Sequence, residues 1–275
     1  MRIGIVGLGL IGGSLAKTIK KNTNHVLMGM DINKGAVASA FSQEAIDGEI
    51  NVDTLSGCDV VIVALHPRAT IDFIISNKEK FKSGSIVIDV CGVKREIVDK
   101  VEAPLREQGV EFVGCHPMAG REFSGFEYSV DNLFERASFI MTPTDFTSMR
   151  AVREISTLAY DMGFARVVMS TPQEHDRIIA FTSQLAHIVS SAYVKSPNLM
   201  RQSGFSAGSF MDLTRVAKLN EDMWTELFLM NGEDLTFEID QIIKHLTEYR
   251  NCIEQSDAKT LNTLLREGRE LKESV

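Results

Sequence analysis

The glycine spacing between Met1 and Asp31 constrains this chain more than any other feature. Arg2-Ile-Gly-Ile-Val6 reads as a short buried strand, Gly7-Leu-Gly-Leu-Ile-Gly12 follows at once, and the segment from Gly13 to Lys20 opens a helix. A second apolar run, His25-Val-Leu-Met-Gly-Met30, ends on Asp31. The three glycines act differently. Gly7 permits a tight turn, Gly9 lets the backbone approach a pyrophosphate, and Gly12 lets the helix pack close to the strand. The helix then turns its free N–H groups and the positive end of its dipole toward the diphosphate. The spacing alone is weak evidence. It gains weight from the strand before it, the helix after it, and an acid closing the next strand roughly 20 residues on.

Asp31 also selects among dinucleotides. A carboxylate there accepts hydrogen bonds from both adenosine ribose hydroxyls and repels a 2′-phosphate. Ile32 and Asn33 supply no arginine to welcome that phosphate, and Lys34 is a single flexible charge. NAD is therefore favoured over NADP. The expected cofactor-binding set is Gly7, Gly9, Leu10, Ile11, Gly12 and Asp31, joined by Leu65 and His66 at the end of a later strand.

Composition narrows the partners. The 275 residues suit one large domain or two of ordinary size, and a 44% hydrophobic content can bury a real core. The net charge of −8 argues against nucleic-acid or anionic-membrane partners, and it requires a local basic pocket for any anionic substrate. The N-terminus carries no signal-type segment, and no apolar run reaches membrane-spanning length. Cys58, Cys91, Cys115 and Cys252 lie far apart without CxxC or metal-ligand spacing. These observations point to a cytoplasmic protein with reduced thiols and no metal site.

Apolar runs at Asp59–Leu65, Ser85–Val90, Glu111–Gly114, Ser138–Thr142 and Arg166–Met169 bring the candidate strands to about seven. Strands buried on both faces and separated by helical patterns indicate a doubly wound parallel sheet, with room for antiparallel edge strands late in the order. Near residue 170 the character changes. Thr171-Pro-Gln-Glu174 has the form of a capping box with proline in the first helical position, and no convincing strand follows. The expected division is an α/β domain over 1–170 and an all-α domain over 171–275. Leu235, Ile239, Ile242, Leu246, Tyr249 and Ile253 form a narrow heptad-like seam that suits either internal packing or a homodimer interface.

Ligands of open α/β sheets bind beyond the carboxyl ends of the strands. His116 follows such an end directly and is held by Pro117, so a neutral imidazole there can accept a hydroxyl proton while hydride leaves the same carbon. His66 has a similar position, with a wall on the cofactor side as its plainer role. In the helix after Thr171, Ile178, Phe181, Leu185, Ile188 and Ala192 form an apolar stripe, while Arg177, Ala180, Gln184, His187 and Ser191 form a second stripe expected to face a pocket. Farther on, Asp212 and Arg215 stand three apart on one helical face: an exposed ion pair, or an arginine turned inward to clamp a carboxylate.

Together these pieces resemble the prephenate and arogenate dehydrogenases of tyrosine biosynthesis. The resemblance runs along essentially the whole chain and is most specific at His116-Pro-Met-Ala-Gly-Arg-Glu-Phe-Ser-Gly125, at His175-Asp176 with Gln184-Leu-Ala-His187, and at Phe210-Met-Asp-Leu-Thr-Arg-Val-Ala217 with Met223-Trp224. It implies a Rossmann-type domain joined to an all-α dimerisation domain, with the active site in the cleft between them. It implies further that His116 holds the substrate's ring hydroxyl, that Arg215 binds a substrate carboxylate, and that His187, with Gln184 and Gly208, lines the substrate pocket. The chain ends soon after the helical region, as expected of a form without a fused chorismate mutase or regulatory module.

Two departures stand out. Many members read Asp-x-Gly-Ser-x-Lys, whose serine helps to orient the histidine; Gly92 occupies that position here, so something else, such as water or the cofactor ribose, must orient His116. Many also read His-Leu-Pro-His where this chain has Gln184-Leu-Ala-His187. The implied reaction is oxidative decarboxylation of prephenate with NAD, or of arogenate, whose side chain is an amino acid instead of a keto acid. A β-hydroxy-acid dehydrogenase has the same domain plan but relies on a lysine in its helical domain. An NAD-sensing protein without turnover has no use for His116, His187 and Arg215 in one pocket.

Overall fold

A computed structural model gives the fold and describes residues 1–121 and 123–275. The described strands are β1 (Arg2–Val6), β2 (Val26–Met30), β3 (Gly48–Glu49), β4 (Val60–Val63), β5 (Ile86–Asp89), β6 (Glu111–Pro117), β7 (Ser138–Thr142) and β8 (Arg166–Met169). They form one sheet in the order β3-β2-β1-β4-β5-β6-β7-β8. Its crossovers include α1 (Leu10–Asn22), α2 (Lys34–Ser42), α3 (Pro67–Ser76), α4 (Arg95–Arg106) and α5 (Met149–Asp161).

The alternation within each strand explains the layers. Ile3 and Ile5 of β1, Val60 and Ile62 of β4, and Ile86 and Ile88 of β5 point into one core with Leu15 and Ile19 of α1. Val6, Val61, Val63 and Val87 point to the opposite face, where Ile71 and Ile74 of α3 and Ile97 and Val101 of α4 cover them. Both faces are covered, so these strands read as continuous apolar runs. The chain order reverses between β1 and β4, which opens the ligand crevice beyond their carboxyl ends.

Two details differ from the expectation. β3 is only two residues long, too short to leave a pattern in the sequence. β6 does not stop at Gly114 but continues through Cys115, His116 and Pro117, because β7 pairs antiparallel with this extension, His116 opposite Ile140. β5 pairs with β6 only as far as Val113, so the histidine stands on a strand that overruns its neighbour. Asp89 closes the gap at that point: its carboxylate accepts the backbone N–H groups of Cys91 at 2.9 Å and Cys115 at 3.3 Å.

The remainder is helical: α6 (Pro172–Ile179), α7 (Leu185–Tyr193), α8 (Gly208–Thr214), α9 (Glu221–Met230), α10 (Gly232–Glu254) and α11 (Ala258–Glu273). The Thr171 side chain accepts the Glu174 N–H at 3.1 Å and caps α6 as the sequence suggested. A π-helical turn, Ala180–Gln184, joins α6 to α7. The inward face of this segment carries His175, Asp176, Ile179, Ala180, Gln184 and Leu185, whereas Ile178 and Phe181 of the expected apolar stripe are exposed. Periodicity could not rank the two faces, because both carry apolar residues and the polar ones that turn inward do so on specific hydrogen bonds.

The seam on α10 divides. Leu235 is buried, and Ile239 and Ile242 pack with it against Ala180 and Leu185. Leu246 and Ile253 are 60% and 65% exposed, whereas Tyr249 donates to the Leu264 carbonyl of α11 at 3.2 Å. α9 reaches into the sheet half of the molecule: Leu227 belongs to the core over α3 and α4, with Met223, Trp224 and Met230 against it.

Candidate active site

The first part of the site is the glycine turn. Gly7 has φ +92°, and a Cβ there would stand 2.9 Å from the Leu65 side chain, so the end of β4 closes directly over the turn. A side chain at Gly12 would strike the Gly7 carbonyl, whereas a Cβ at Gly9 would meet nothing within 4 Å. The turn is thus packed on its inner side and open at Gly9, the face through which a diphosphate would approach. No acidic residue lies in the first turn of α1 to oppose an anion. Asp31 completes the cradle: one carboxylate oxygen accepts the Leu8 N–H and the other the Asn33 N–H, both at 2.7 Å. Two acceptor positions remain for a pair of ribose hydroxyls. Lys34 is held in an ion pair with Glu49. His66 is the exposed residue preceding α3.

The second part lies at the end of β6. His116 Nδ1 is 2.9 Å from His175 Nε2, and His175 Nδ1 is 2.7 Å from Asp176 Oδ1. Asp176 accepts the backbone N–H groups of Lys94 at 2.7 Å and Arg95 at 2.9 Å, which places its charge at the N-terminus of α4. Lys94 is fully buried and ion-paired with Asp89. The partner at His116 Nδ1 is therefore His175. A Cβ at Gly92 would lie 3.9 Å from His116 Nε2 and 3.5 Å from Leu227, so the position faces the other ring nitrogen. Burial, then the repulsion that His175 would exert if protonated and that of the Lys94 ammonium, holds the His116 pKa well below the usual histidine range. Burial also lowers that of His175, against the opposing pull of Asp176.

The third part comes from the helices. His187 Nδ1 donates to the Ser183 carbonyl at 2.9 Å, the bond that the π-helical turn sets up. Its ring stacks on Trp224 with centroids 3.8 Å apart. Burial and the positive charge of Arg215 lower its pKa, so a neutral ring presents Nε2 as an acceptor. Trp224 and Leu227 share one face of α9, which links the His187 and Arg215 corner to Gly92 and His116.

Gln184 is placed differently from the expectation of a pocket-lining residue. It is buried, accepts from Asn231 Nδ2 at 2.8 Å and donates to the Leu227 carbonyl at 3.3 Å. Asn231 also donates to the Asp176 carbonyl at 2.9 Å, so these amides tie α6, α7 and α9 together. Gly208 opens α8 on the surface, with nothing within 4 Å of a Cβ. Glu122, inside the motif that begins at His116, lies outside the described residues. Residue-by-residue reading missed the roles of His175, Asp176 and Asn231. An adjacent histidine and aspartate in the first turns of a capped helix was the available sign.

A doubly wound sheet with a glycine cradle at its switch point, an imidazole at the next-but-one strand end and a helical half closing the cleft defines a dinucleotide-dependent oxidoreductase. Comparison with known proteins specifies it further. Residues 15–169 match the family described as prephenate dehydrogenase, nucleotide-binding domain, and residues 171–267 match prephenate dehydrogenase, dimerization domain. The chain belongs to the prephenate dehydrogenase family. It is 31% identical to prephenate dehydrogenase of Bacillus subtilis, over 98% of this chain and 75% of that protein. It is 27% identical to cyclohexadienyl dehydrogenase of Zymomonas mobilis, over 94% and 90% respectively. The crystal structure of prephenate dehydrogenase from Aquifex aeolicus with hydroxyphenyl propionate and NAD+ is 29% identical, with a TM-score of 0.89 over 100% of this chain and 98% of that one.

Proposed function

We propose that this protein catalyses the NAD-dependent oxidative decarboxylation of prephenate to 4-hydroxyphenylpyruvate and carbon dioxide in tyrosine biosynthesis. The observation that carries the assignment is His116 on the overrunning end of β6, with Nδ1 engaged behind it and Nε2 on the side that Gly92 leaves clear. Bound NAD supplies the hydride acceptor, and Gly7, Gly9, Leu10, Ile11, Gly12, Asp31, Leu65 and His66 are the residues that would hold it. His116 accepts the ring hydroxyl's hydrogen bond and takes its proton as hydride leaves the carbon. When the carboxylate departs, its bonding electrons enter the ring, and the proton returns to the oxygen of the new phenol. Aromatisation supplies the driving force, so these residues act mainly by positioning and proton handling.

Arg215 anchors a substrate carboxylate, and His187, seated on Trp224, lines the pocket beside it. Gln184 acts behind the pocket by fixing Leu227 and Asn231, and Gly208 admits substrate at the start of α8. We place the boundary between the dinucleotide-binding domain, 1–170, and the helical domain, 171–275, at Thr171, which caps α6. The exposed Leu246 and Ile253 support a homodimer through the helical domain. Four unpaired, buried cysteines support a reducing, cytoplasmic setting, and no described helix is long and apolar enough to cross a membrane.

Absorbance of reduced nicotinamide, followed after mixing protein, NAD and either prephenate or arogenate, tests the assignment. Rapid NADH formation with prephenate is expected. Cofactor binding without turnover of either substrate would overturn it, and faster turnover of arogenate would reassign the substrate.

A further inference from the structure

The line of hydrogen bonds behind His116 has a direction. Asp176 already receives two backbone N–H groups, from Lys94 and Arg95, so its Oδ1 meets His175 as an acceptor. His175 must then carry its proton on Nδ1, 2.7 Å away, and present Nε2 as a lone pair. That lone pair lies 2.9 Å from His116 Nδ1, and two lone pairs cannot share a hydrogen bond. His116 must therefore be protonated on Nδ1, which leaves Nε2 as the bare nitrogen. We propose that His175 and Asp176 are positioning residues that lock His116 in the Nδ1–H tautomer, so that the nitrogen facing the cleft can only accept a proton. The inference rests on the reading of His116 as the base.

Four further features support a device of this kind. Asp176 sits at the amino end of α4, a twelve-residue helix whose N-terminal dipole favours a carboxylate there. The side chains of His175 and Asp176 are 0% and 2% exposed, so water does not compete for either bond. Burial lowers the pKa of both imidazoles and the Lys94 ammonium, paired with Asp89, adds to it, which favours the neutral pair. Asn231 and Gln184 fix the backbone beneath, through the Asp176 carbonyl. The logic is that of the aspartate in a Ser-His-Asp triad, extended by one imidazole; there an Asp→Asn change leaves the geometry intact but costs about 10⁴ in kcat through the wrong tautomer. Gly92 has a place in the same account: with the tautomer fixed from behind, no hydroxyl is needed beside Nε2.

The test is nitrogen-15 NMR of the full chain labelled at its six histidines, at pH 7.5, with the His116 resonances identified by their loss in His116→Asn. His116 is expected to show a protonated Nδ1 and a bare Nε2 in the wild type, before any substrate is added. Asp176→Asn can turn an NH2 group toward His175, reversing both rings; the expected result is a protonated His116 Nε2 and a fall in kcat of at least about 10²-fold. NAD affinity, read by fluorescence titration, is expected to stay unchanged. His175→Gln retains an acceptor for His116 and a donor for Asp176, so it should recover most of the turnover lost in His175→Leu. A wild-type His116 protonated on Nε2 would overturn the proposal, as would His175→Leu with unaltered tautomer and turnover. The wild-type spectrum decides the matter even where a variant does not fold. Full activity in His116→Asn would instead overturn the assignment of the base and leave the tautomer measurement standing.

Discussion

Asp31→Ala is the most informative perturbation of the cofactor half, because the native hydrogen bonds define what it removes. The carboxylate offers about four lone-pair positions. Two are taken by the Leu8 and Asn33 N–H groups at 2.7 Å, leaving two for the ribose hydroxyls. A hydrogen bond to a charged group is worth about 1.5–3 kcal/mol. Losing two such bonds, partly replaced by water at this half-exposed site, should weaken NAD binding by about 2–4 kcal/mol, or roughly 30- to 1,000-fold in KM. The ribose lies far from the reacting carbon, so kcat at saturating NAD should change little. NADP should gain from the loss of repulsion, but only modestly, because Lys34 is tied to Glu49. Adding Glu49→Gln frees that ammonium, and the double variant should use NADP better than either single one. Initial rates against NAD and NADP at saturating prephenate measure all of this. A KM for NAD within twofold of wild type in Asp31→Ala would refute the reasoning, as would indifference of NADP kinetics to Glu49.

Three other outcomes follow from the site. His116→Asn should lower kcat by about 10²–10⁴-fold with little change in the KM for prephenate, since a general base acts in the transition state. Arg215→Ala should raise that KM by about 10- to 100-fold, the loss of one charge-assisted contact of about 1.5–3 kcal/mol, with kcat reduced less. Folding stability should fall as pH drops below about 6.5, because the unfolded chain then takes up protons that His116 and His175, both with lowered pKa values, refuse in the fold. The slope is at most about 1.4 kcal/mol per pH unit for each ring. Urea denaturation between pH 7.5 and 5 should show a shallower fall in His116→Gln than in wild type.

The parts most legible in the sequence were those with short-range causes. The turn from Gly7 to Gly12 is dictated by where a Cβ cannot fit, and with the strand before it, the helix after it and Asp31 one strand later it forms a pattern readable over about thirty residues. The capped start at Thr171 was likewise local. His116 was found by its place after an apolar run, but the run's true end depended on pairing with residues 138–142, which a strand cannot announce by itself. On the helix from Pro172 the stripe with Ala180 and Gln184 was expected to face a pocket, but the burial of the polar His175 and Asp176 was not foreseen. The burial of these polar residues is stabilised by partners 47 to 82 residues away in the chain, at Asn231 and at the Lys94 and Arg95 N–H groups. Such distant complementarity leaves no periodic trace.

The seat of Leu227 among Ile71, Val87 and Ile97 limits how this molecule can be taken apart. A fragment ending near residue 170 would expose that greasy notch, and a fragment starting there would carry Trp224, Leu227 and Met230 with nothing to insert them into. Chimaeras that exchange helical halves between homologues must transplant the notch together with its plug, or they will misalign the rim of the cleft beside Gly92.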